Sequence, residues 1–109
     1  MIKLITLFAT VILWANSLTA KAEPDPARFS NAIATFEKED AGRKPVADLT
    51  LFTGSSSIRM WKSLTTDFPD RKVLNRGFGG SHISDVLHYF DDVVARHKPK
   101  TIVLYCGEN

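Results

Sequence analysis

The sequence has a single cysteine, Cys106, and this scarcity excludes one class of fold. A lone thiol cannot form a disulfide within the chain, so the chain is not a small disulfide-rich secreted domain. Its stability must therefore come from a hydrophobic core. Hydrophobic residues make up 44% and charged residues 24% of the 109 residues, which is typical of one ordinary globular domain and not of a disordered chain.

The chain also lacks a long apolar run. Its first apolar stretch, Leu4 to Ala15, is well short of the roughly 20 residues that a membrane-spanning helix needs. Lys3 precedes this stretch, and Ala20-Lys21-Ala22 places small residues at alternate positions. These are the charged region, the short apolar region and the cleavage site of a secretory signal peptide. We therefore predict a signal peptide at residues 1–22, export to the periplasm or the extracellular space, and no stable membrane anchor after cleavage.

A strong charge of either sign is absent as well. The formal net charge is +2, from 14 basic and 12 acidic residues, and Lys3 and Lys21 of the predicted leader account for the whole excess. The one basic cluster, Arg96-His97-Lys98 with Lys100, follows an apolar helical pattern, where cations suit the negative end of the helix dipole. A nucleic-acid partner would need a larger basic patch, so we predict none.

The rest of the chain alternates between helical and strand patterns. Short apolar runs predict strands, and apolar residues at every third or fourth position predict helices. The predicted strands are Ala47–Gly54, Lys72–Gly77 and Thr101–Gly107. The predicted helices are built around Phe29, Ile33 and Phe36, around Ile58, Trp61, Leu64 and Phe68, and around Ile83, Val86, Leu87, Phe90, Val93 and Val94, the last with Ser81 as N-cap and ending before Pro99. This alternation predicts an α/β fold with a parallel sheet, whose third strand is apolar enough to be covered on both faces.

Every predicted strand ends in small or amide-bearing residues. The three endings are Gly54-Ser55-Ser56-Ser57, Asn75-Arg76-Gly77-Phe78-Gly79-Gly80 and Gly107-Glu108-Asn109. Functional sites in parallel α/β sheets gather at the carboxyl ends of the strands, where small residues let the backbone approach a ligand. From the residues alone, two interpretations of the serines stay open. Ser56 or Ser57 caps the following helix, or one of the three hydroxyls is a nucleophile beside amides that can stabilise an oxyanion.

Three segments together resemble the SGNH, or GDSL-type, hydrolases. This family of esterases and lipases includes lysophospholipase-like and platelet-activating-factor-acetylhydrolase-like proteins. The segments are FTGSSSIRMW, NRGFGGSHISDVL and IVLYCGEN, and the likeness runs from about Asp48 to Asn109. The resemblance implies a flavodoxin-like three-layer α/β/α sandwich. It also implies a serine ester hydrolase that needs no metal or cofactor and acts on a small-molecule, lipid or glycan ester.

The resemblance assigns roles to individual residues. The nucleophile falls on Ser56, two residues after Gly54, with a serine replacing the aspartate of the Gly-Asp-Ser-Leu motif. The backbone N–H of Gly80 and the side-chain amide of Asn109 would hold the oxyanion, since they match the second and third motifs of the family. The alternatives left open are Ser55 and Ser57 for the nucleophile and Gly79 for the backbone donor.

A general base is missing from this pattern. A serine hydroxyl needs a histidine to take its proton and a carboxylate to orient that histidine. The family supplies both from a C-terminal Asp-x-x-His block, and nothing up to Asn109 corresponds to it. His88 and His97 are predicted to face solvent or to cap the long helix, and only His82 is close to Gly80 in the sequence.

We therefore expect the sequence to be the N-terminal part of a longer enzyme. Its expected divisions are a signal peptide at 1–22, an N-terminal helix and linker at 23–47, and the first part of a hydrolase domain at 48–109. The 109 residues alone are expected to be poorly stable and to lack esterase activity, because an uncovered three-stranded sheet and a site without its base would remain.

Other classes of protein have weaker support. Gly77-Phe78-Gly79 begins a dinucleotide-binding motif, but His82 stands where its last glycine should be. Ile58 stands where the α/β-hydrolase elbow G-x-S-x-G needs its second glycine. Cys106 as a nucleophile would need a lowered pKa, and a buried thiol on a strand is the simpler interpretation. The main alternative is a non-catalytic lipid- or carbohydrate-binding relative that uses the same edge of the sheet.

Overall fold

The computed structural model describes residues 24–107, which form the predicted α/β fold around a three-stranded, all-parallel sheet. The strands are β1 (Thr50–Gly54), β2 (Val73–Gly77) and β3 (Thr101–Tyr105). The helices are α1 (Ser30–Asp40), α2 (Ser56–Arg59), α3 (Leu64–Asp67), α4 (Ile83–His88) and α5 (Phe90–Val93), and 3-10 turns occupy Pro26–Phe29 and Ala95–His97. The predicted fold class is thereby confirmed, whereas the predicted signal peptide and Asn109 lie outside the described residues.

Strand β1 lies in the middle of the sheet, in the order β2-β1-β3. Its last residue, Gly54, is aligned with Gly77 of β2 on one side and with Tyr105 of β3 on the other. Because all three strands run in the same direction, their carboxyl ends meet at one edge of the sheet. The loops that follow the strands therefore begin side by side.

Two hydrophobic clusters cover the two faces of β1. Leu51 and Phe52 are adjacent in the strand, so their side chains point to opposite faces. Leu51 packs in the larger cluster with residues of α1, α4 and α5 and the loops near them: Phe29, Ile33, Phe78, Val86, Val93, Val94 and Cys106. Phe52 packs in the smaller cluster with Ile58 and Leu64. Helices thus flank the sheet on both sides, which is compatible with part of a flavodoxin-like sandwich.

The helix predicted around Ile58 to Phe68 is divided into two. A turn separates α2 from α3 and brings the Trp61 ring against the Phe52 ring, with 5.6 Å between centroids. The Trp61 indole N–H donates a hydrogen bond to Asp67 Oδ2 at 2.6 Å, and the Ser63 hydroxyl donates to the same oxygen at 2.7 Å. These donors hold the pKa of Asp67 below its ordinary value. The prediction of one helix was wrong because aromatic packing onto the sheet favours the turn.

The long helix predicted from Ser81 differs in its start and in its buried face. Its N-cap is His82, and Ser81 is completely buried before the helix begins. A single residue, Tyr89, separates α4 from α5, and its hydroxyl donates a hydrogen bond to the Pro26 carbonyl at 2.9 Å. Apolar spacing located the helix but not its rotation, so part of the predicted face is exposed. The buried members are Val86, Val93 and Val94, and the exposed ones are Ile83, Leu87 and Phe90.

Within residues 24–107, β3 is not covered on both faces, which agrees with the expectation that the 109 residues alone leave the sheet uncovered. The side chains of β3 are all exposed, among them Ile102, Leu104 and Tyr105, each at about 45–47%. Within the described part of the chain, β3 pairs with β1 alone and forms an edge of the sheet. An apolar run identifies a strand, but it does not determine which elements pack over that strand.

Candidate active site

Gly54 closes β1 in a conformation that only glycine adopts readily. Its φ is +131°, and a Cβ atom there would collide with the carbonyl oxygen of Tyr105. The same oxygen accepts a hydrogen bond from the Ser55 N–H at 3.0 Å. The turn that carries the three serines is therefore pinned to the end of the neighbouring strand.

The three serines that follow Gly54 differ sharply in exposure. Ser55 is completely buried, Ser56 is half-buried as the first residue of α2, and Ser57 is exposed. Ser56 lines a surface cleft, whereas neither Ser55 nor Ser57 does. Of the three hydroxyls, only that of Ser56 is placed on the wall of a space that could hold a ligand.

The cleft that Ser56 lines has a volume of about 620 Å³ and lies between α1, the start of α2 and the loop after β2. One wall is apolar and consists of Phe29, Ala32, Phe36 and Phe78. The remaining lining is polar or small: Thr35, Glu39, Ser56, Arg59, Lys62, Asn75, Gly77, Gly79 and Gly80. A cleft of this size with an apolar wall and a few polar groups is typical of a small-ligand site.

Asn75 joins the serine turn to β2. Its side-chain Nδ2 donates a hydrogen bond to the Ile58 carbonyl at 2.6 Å, and its Oδ1 accepts one from the Gly77 N–H at 2.9 Å. Gly77 has no side chain where the α2 backbone crosses it, and a Cβ atom there would collide with the Arg59 nitrogen. This close approach fixes α2, and with it Ser56, against the sheet.

The loop after β2 presents two backbone donors beside the cleft. It is held on one side by the Phe78 N–H, which donates to the Gly54 carbonyl at 2.9 Å, and on the other by the Ser81 N–H, which donates to the Phe78 carbonyl at 3.2 Å. Between them, Gly79 and Gly80 donate no backbone hydrogen bond to any residue in the range 24–107. Gly80 has φ +80°, a left-handed conformation that favours glycine. The predicted backbone donor, Gly80, and its alternative, Gly79, thus both border the cleft.

None of the three histidines lines this cleft. His82 is the N-cap of α4, and His88 is exposed, as predicted. The prediction that His97 faces solvent or caps a helix was wrong, because its side chain is buried with Nε2 3.1 Å from Asp40 Oδ2. Burial lowers the pKa of His97, and Arg76 and Arg96 lower it further against the opposing effect of Asp40.

Cys106 is buried, as predicted, directly after the end of β3. Burial raises the pKa of its thiol, although a hydrogen bond with the Ser81 side chain opposes this. A thiol that is hard to ionise is a poor nucleophile. Cys106 therefore acts in packing between the strand end and the loop after β2.

Sequence reasoning missed two cationic residues of the cleft, Arg59 and Lys62. The position of Arg59 was readable, since residues three apart on a helical turn face the same way and Arg59 is three residues after Ser56. Lys62 lies in the turn after α2, so helical spacing does not predict its position. Across the part of the chain that is described, no group of histidine, cysteine and acidic residues could hold a metal ion. The described helices include none that is long and apolar enough to cross a membrane. Asn109, the other predicted oxyanion donor, lies outside the described residues.

Comparison of the chain with models of protein families gave no match, and comparison with curated proteins gave no significant match.

Proposed function

We propose that the chain belongs to an exported serine ester hydrolase of the SGNH type, in which Ser56 is the nucleophile. The observation that supports this best is the meeting of Ser56, Gly79 and Gly80 on one cleft at the carboxyl ends of β1 and β2. An ester carbonyl placed between them would have a hydroxyl on one side and backbone N–H donors on the other.

The chemistry follows from this arrangement. Ser56 Oγ bonds to the ester carbonyl carbon while its proton passes to a base, and the carbonyl oxygen becomes an oxyanion. Donors that already point at that oxygen stabilise it without reorganising, and removing one typically costs about 10²–10³ in kcat. The carbon–oxygen bond to the alcohol then breaks, and the alcohol leaves with the proton. Water releases the acid from Ser56 by the same route.

Gly80 and Asn109 are the proposed oxyanion donors. The proposed base is a histidine of the Asp-x-x-His block that the family resemblance implies; His82, His88 and His97 do not line the cleft. The substrate is a small-molecule, lipid or glycan ester, and neither a metal nor a cofactor takes part in the proposed reaction.

The proposal is tested with a fluorophosphonate probe, which forms a covalent bond only with an activated serine. The protein expressed from its complete reading frame should be labelled on Ser56, as located by mass spectrometry. Ser56→Ala should abolish labelling and esterase turnover with little effect on folding. Ser57→Ala is the matched control, since this neighbouring hydroxyl is exposed and does not line the cleft.

Two outcomes would contradict the proposal in different ways. Full labelling of Ser56→Ala would move the nucleophile to another residue. No labelling of the wild-type protein, together with retained binding of an uncleaved lipid or glycan, would favour the non-catalytic binding relative.

A further inference from the structure

The charges of the cleft do not balance. Arg59 and Lys62 line it and make no ion pair with any residue of the described chain. Among the described residues of the lining, Glu39 is the one acidic residue, and its Oε2 lies 3.2 Å from Nη1 of Arg76. Glu39 and the buried Asp40 share Arg76 as a partner, whereas Arg59 and Lys62 have no carboxylate partner among residues 24–107 and leave two unpaired cations in the cleft that Ser56 lines.

Arg59 is held close to the predicted oxyanion loop. A Cβ atom added to Gly79 would lie 2.7 Å from Arg59 Nε and 3.3 Å from its Cζ and Nη2. The absence of a side chain at Gly79 therefore lets the guanidinium lie directly against the loop. Arg59 also follows Ser56 by three residues, so that hydroxyl and guanidinium share one side of a helical turn.

Another part of the lining is aromatic and consists of Phe29, Phe36 and Phe78. Phe29 and Phe78 are buried, so the half-buried Phe36 offers most of the aromatic surface that suits the hydrocarbon part of a ligand. A neutral ester would leave the guanidinium without a partner, whereas a carboxylate, phosphate or sulfate matches its planar set of donors.

We propose that the cleft selects esters that carry a negatively charged group, bound by Arg59 with support from Lys62. This inference rests on the proposed function, because it names the substrate class of the same site. It makes Arg59 a specificity-determining residue that acts on the substrate's charged group and not on the reacting carbonyl.

The first test compares esters that differ in charge but share a nitrophenolate leaving group. The neutral substrate is 4-nitrophenyl butyrate, 4-nitrophenyl hemiglutarate carries its charge on the acyl side, and 3-carboxy-4-nitrophenyl butyrate carries it on the alcohol side. The measured quantity is kcat/KM of each charged ester divided by that of the neutral ester. Comparing this ratio between variants cancels the intrinsic reactivity of the substrates.

Arg59→Gln should lower the ratio about tenfold for at least one charged ester, the size expected for losing one charge-assisted hydrogen bond. Arg59→Lys should retain part of the preference, because it keeps the charge but not the paired donors. Lys62→Gln should give a smaller loss, and high salt should lower the wild-type ratio, since both cations are exposed. Lys44→Gln is the control and should leave the ratio unchanged, because Lys44 is an exposed cation that does not line the cleft.

A second readout separates this inference from the proposed function. Binding of glutarate and of its dimethyl ester to the Ser56→Ala protein is measured by calorimetry, which needs no turnover. The anion site is supported if the Ser56→Ala protein binds glutarate but not its dimethyl ester, and if adding Arg59→Gln abolishes the binding of glutarate. This result would support the site even if no ester is hydrolysed. Hydrolysis of all three esters with a ratio that Arg59→Gln does not change overturns the inference and leaves the proposed function standing.

Discussion

Asn75 shows how one side chain can determine the position of a neighbouring turn. Both ends of its amide are used: Nδ2 binds the Ile58 carbonyl of α2, and Oδ1 binds the Gly77 N–H of its own strand. An aspartate in this place could not donate to the carbonyl, and a serine would be too short to reach both groups. The Asn75 amide therefore has both the donor and the acceptor that are needed where the α2 backbone passes close to Gly77 of β2.

Asn75→Ala should destabilise the protein. Two hydrogen bonds are lost and the partly buried Ile58 carbonyl is left without its side-chain donor, which together cost about 1–3 kcal/mol. The free energy of unfolding is measured by urea titration of the complete protein. Thr65→Ala, at an exposed position of α3, is the control and should change it little. An equal effect of the two substitutions would show that the Asn75 amide does not hold α2.

The candidate site was partly predictable at this scale. Glycines and serines after strands indicate a polar edge of a parallel sheet. The family resemblance, and not this pattern, then implied Ser56 and Gly80, with Gly79 as the alternative to Gly80. Which serine faces the cleft was not predictable from the residues alone, because Ser55, Ser56 and Ser57 share one chemistry and differ only in the direction that the Gly54 turn imposes.

The N-terminal segment is an integral part of the larger hydrophobic cluster. Phe29 and Ile33 are buried in it, and the Phe29 ring meets the Phe78 ring edge to face at 5.0 Å. The Arg28 guanidinium forms a paired contact with Asp85 of α4, at 3.0 Å from Nη1 to Oδ1 and at 2.6 Å from Nη2 to Oδ2. Asp85 Oδ2 also accepts a hydrogen bond from the His82 N–H, so the pair anchors the start of α4.

Arg28→Met should weaken this docking. It leaves the completely buried Asp85 carboxylate without its cation, a change that costs about 3–5 kcal/mol when both partners are buried. The Arg28 side chain is 34% exposed, so water can replace part of the interaction, and we expect a loss of about 1–3 kcal/mol. Urea unfolding measures the loss, and Lys38→Met on the exposed side of α1 is the control.

A second variant makes the origin of the loss clear. Adding Asp85→Asn to Arg28→Met removes the unpaired charge and should recover part of the stability. Asp85→Asn is also made in the wild-type protein. If it lowers the free energy of unfolding by the same amount there as in Arg28→Met, the two residues do not interact energetically.

The elements themselves were predictable to within a few residues, but their partners were not. The strand positions follow from local apolar runs, whereas the exposure of β3 and the rotation of α4 depend on which elements pack against them. The break between α2 and α3 has the same origin, since Trp61 leaves the helical path to reach Phe52 on the sheet. Periodicity reports on one segment at a time and carries no information on such contacts.

At the scale of the whole molecule, a buried charged cluster joins elements that are far apart in the sequence. Asp40 at the end of α1 contacts Arg76 of β2 at 2.5 Å and His97 of the last 3-10 turn at 3.1 Å. Arg43 and Arg96 approach Asp40 from the surface, each at 3.8 Å. No sequence pattern indicates this cluster, because its members are ordinary surface residue types that only the tertiary fold brings together.

This cluster should make the stability of the whole molecule depend on pH. Burial is the main cause of the lowered pKa of His97, and the cations Arg76 and Arg96 act in the same direction against Asp40. The unfolded chain, where histidine has its ordinary pKa near 6.5, therefore binds a proton more readily than the folded chain. The stability is fully present above pH of about 6.5 and is lost as the pH falls through the lowered pKa of the folded state.

The measurement is the free energy of unfolding in urea from pH 8 to pH 5 at constant ionic strength. One titrating group changes it by at most about 1.4 kcal/mol per pH unit, so a decline of up to this slope is expected below pH of about 6.5. His97→Gln should flatten the decline, because glutamine fills much of the same space without taking up a proton. His88→Gln, at an exposed position of α4, should leave the decline as it is. An unchanged slope in His97→Gln would mean that protonation elsewhere controls the acid sensitivity, and the Asp40 cluster would then be a fixed ionic contact and not a titrating one.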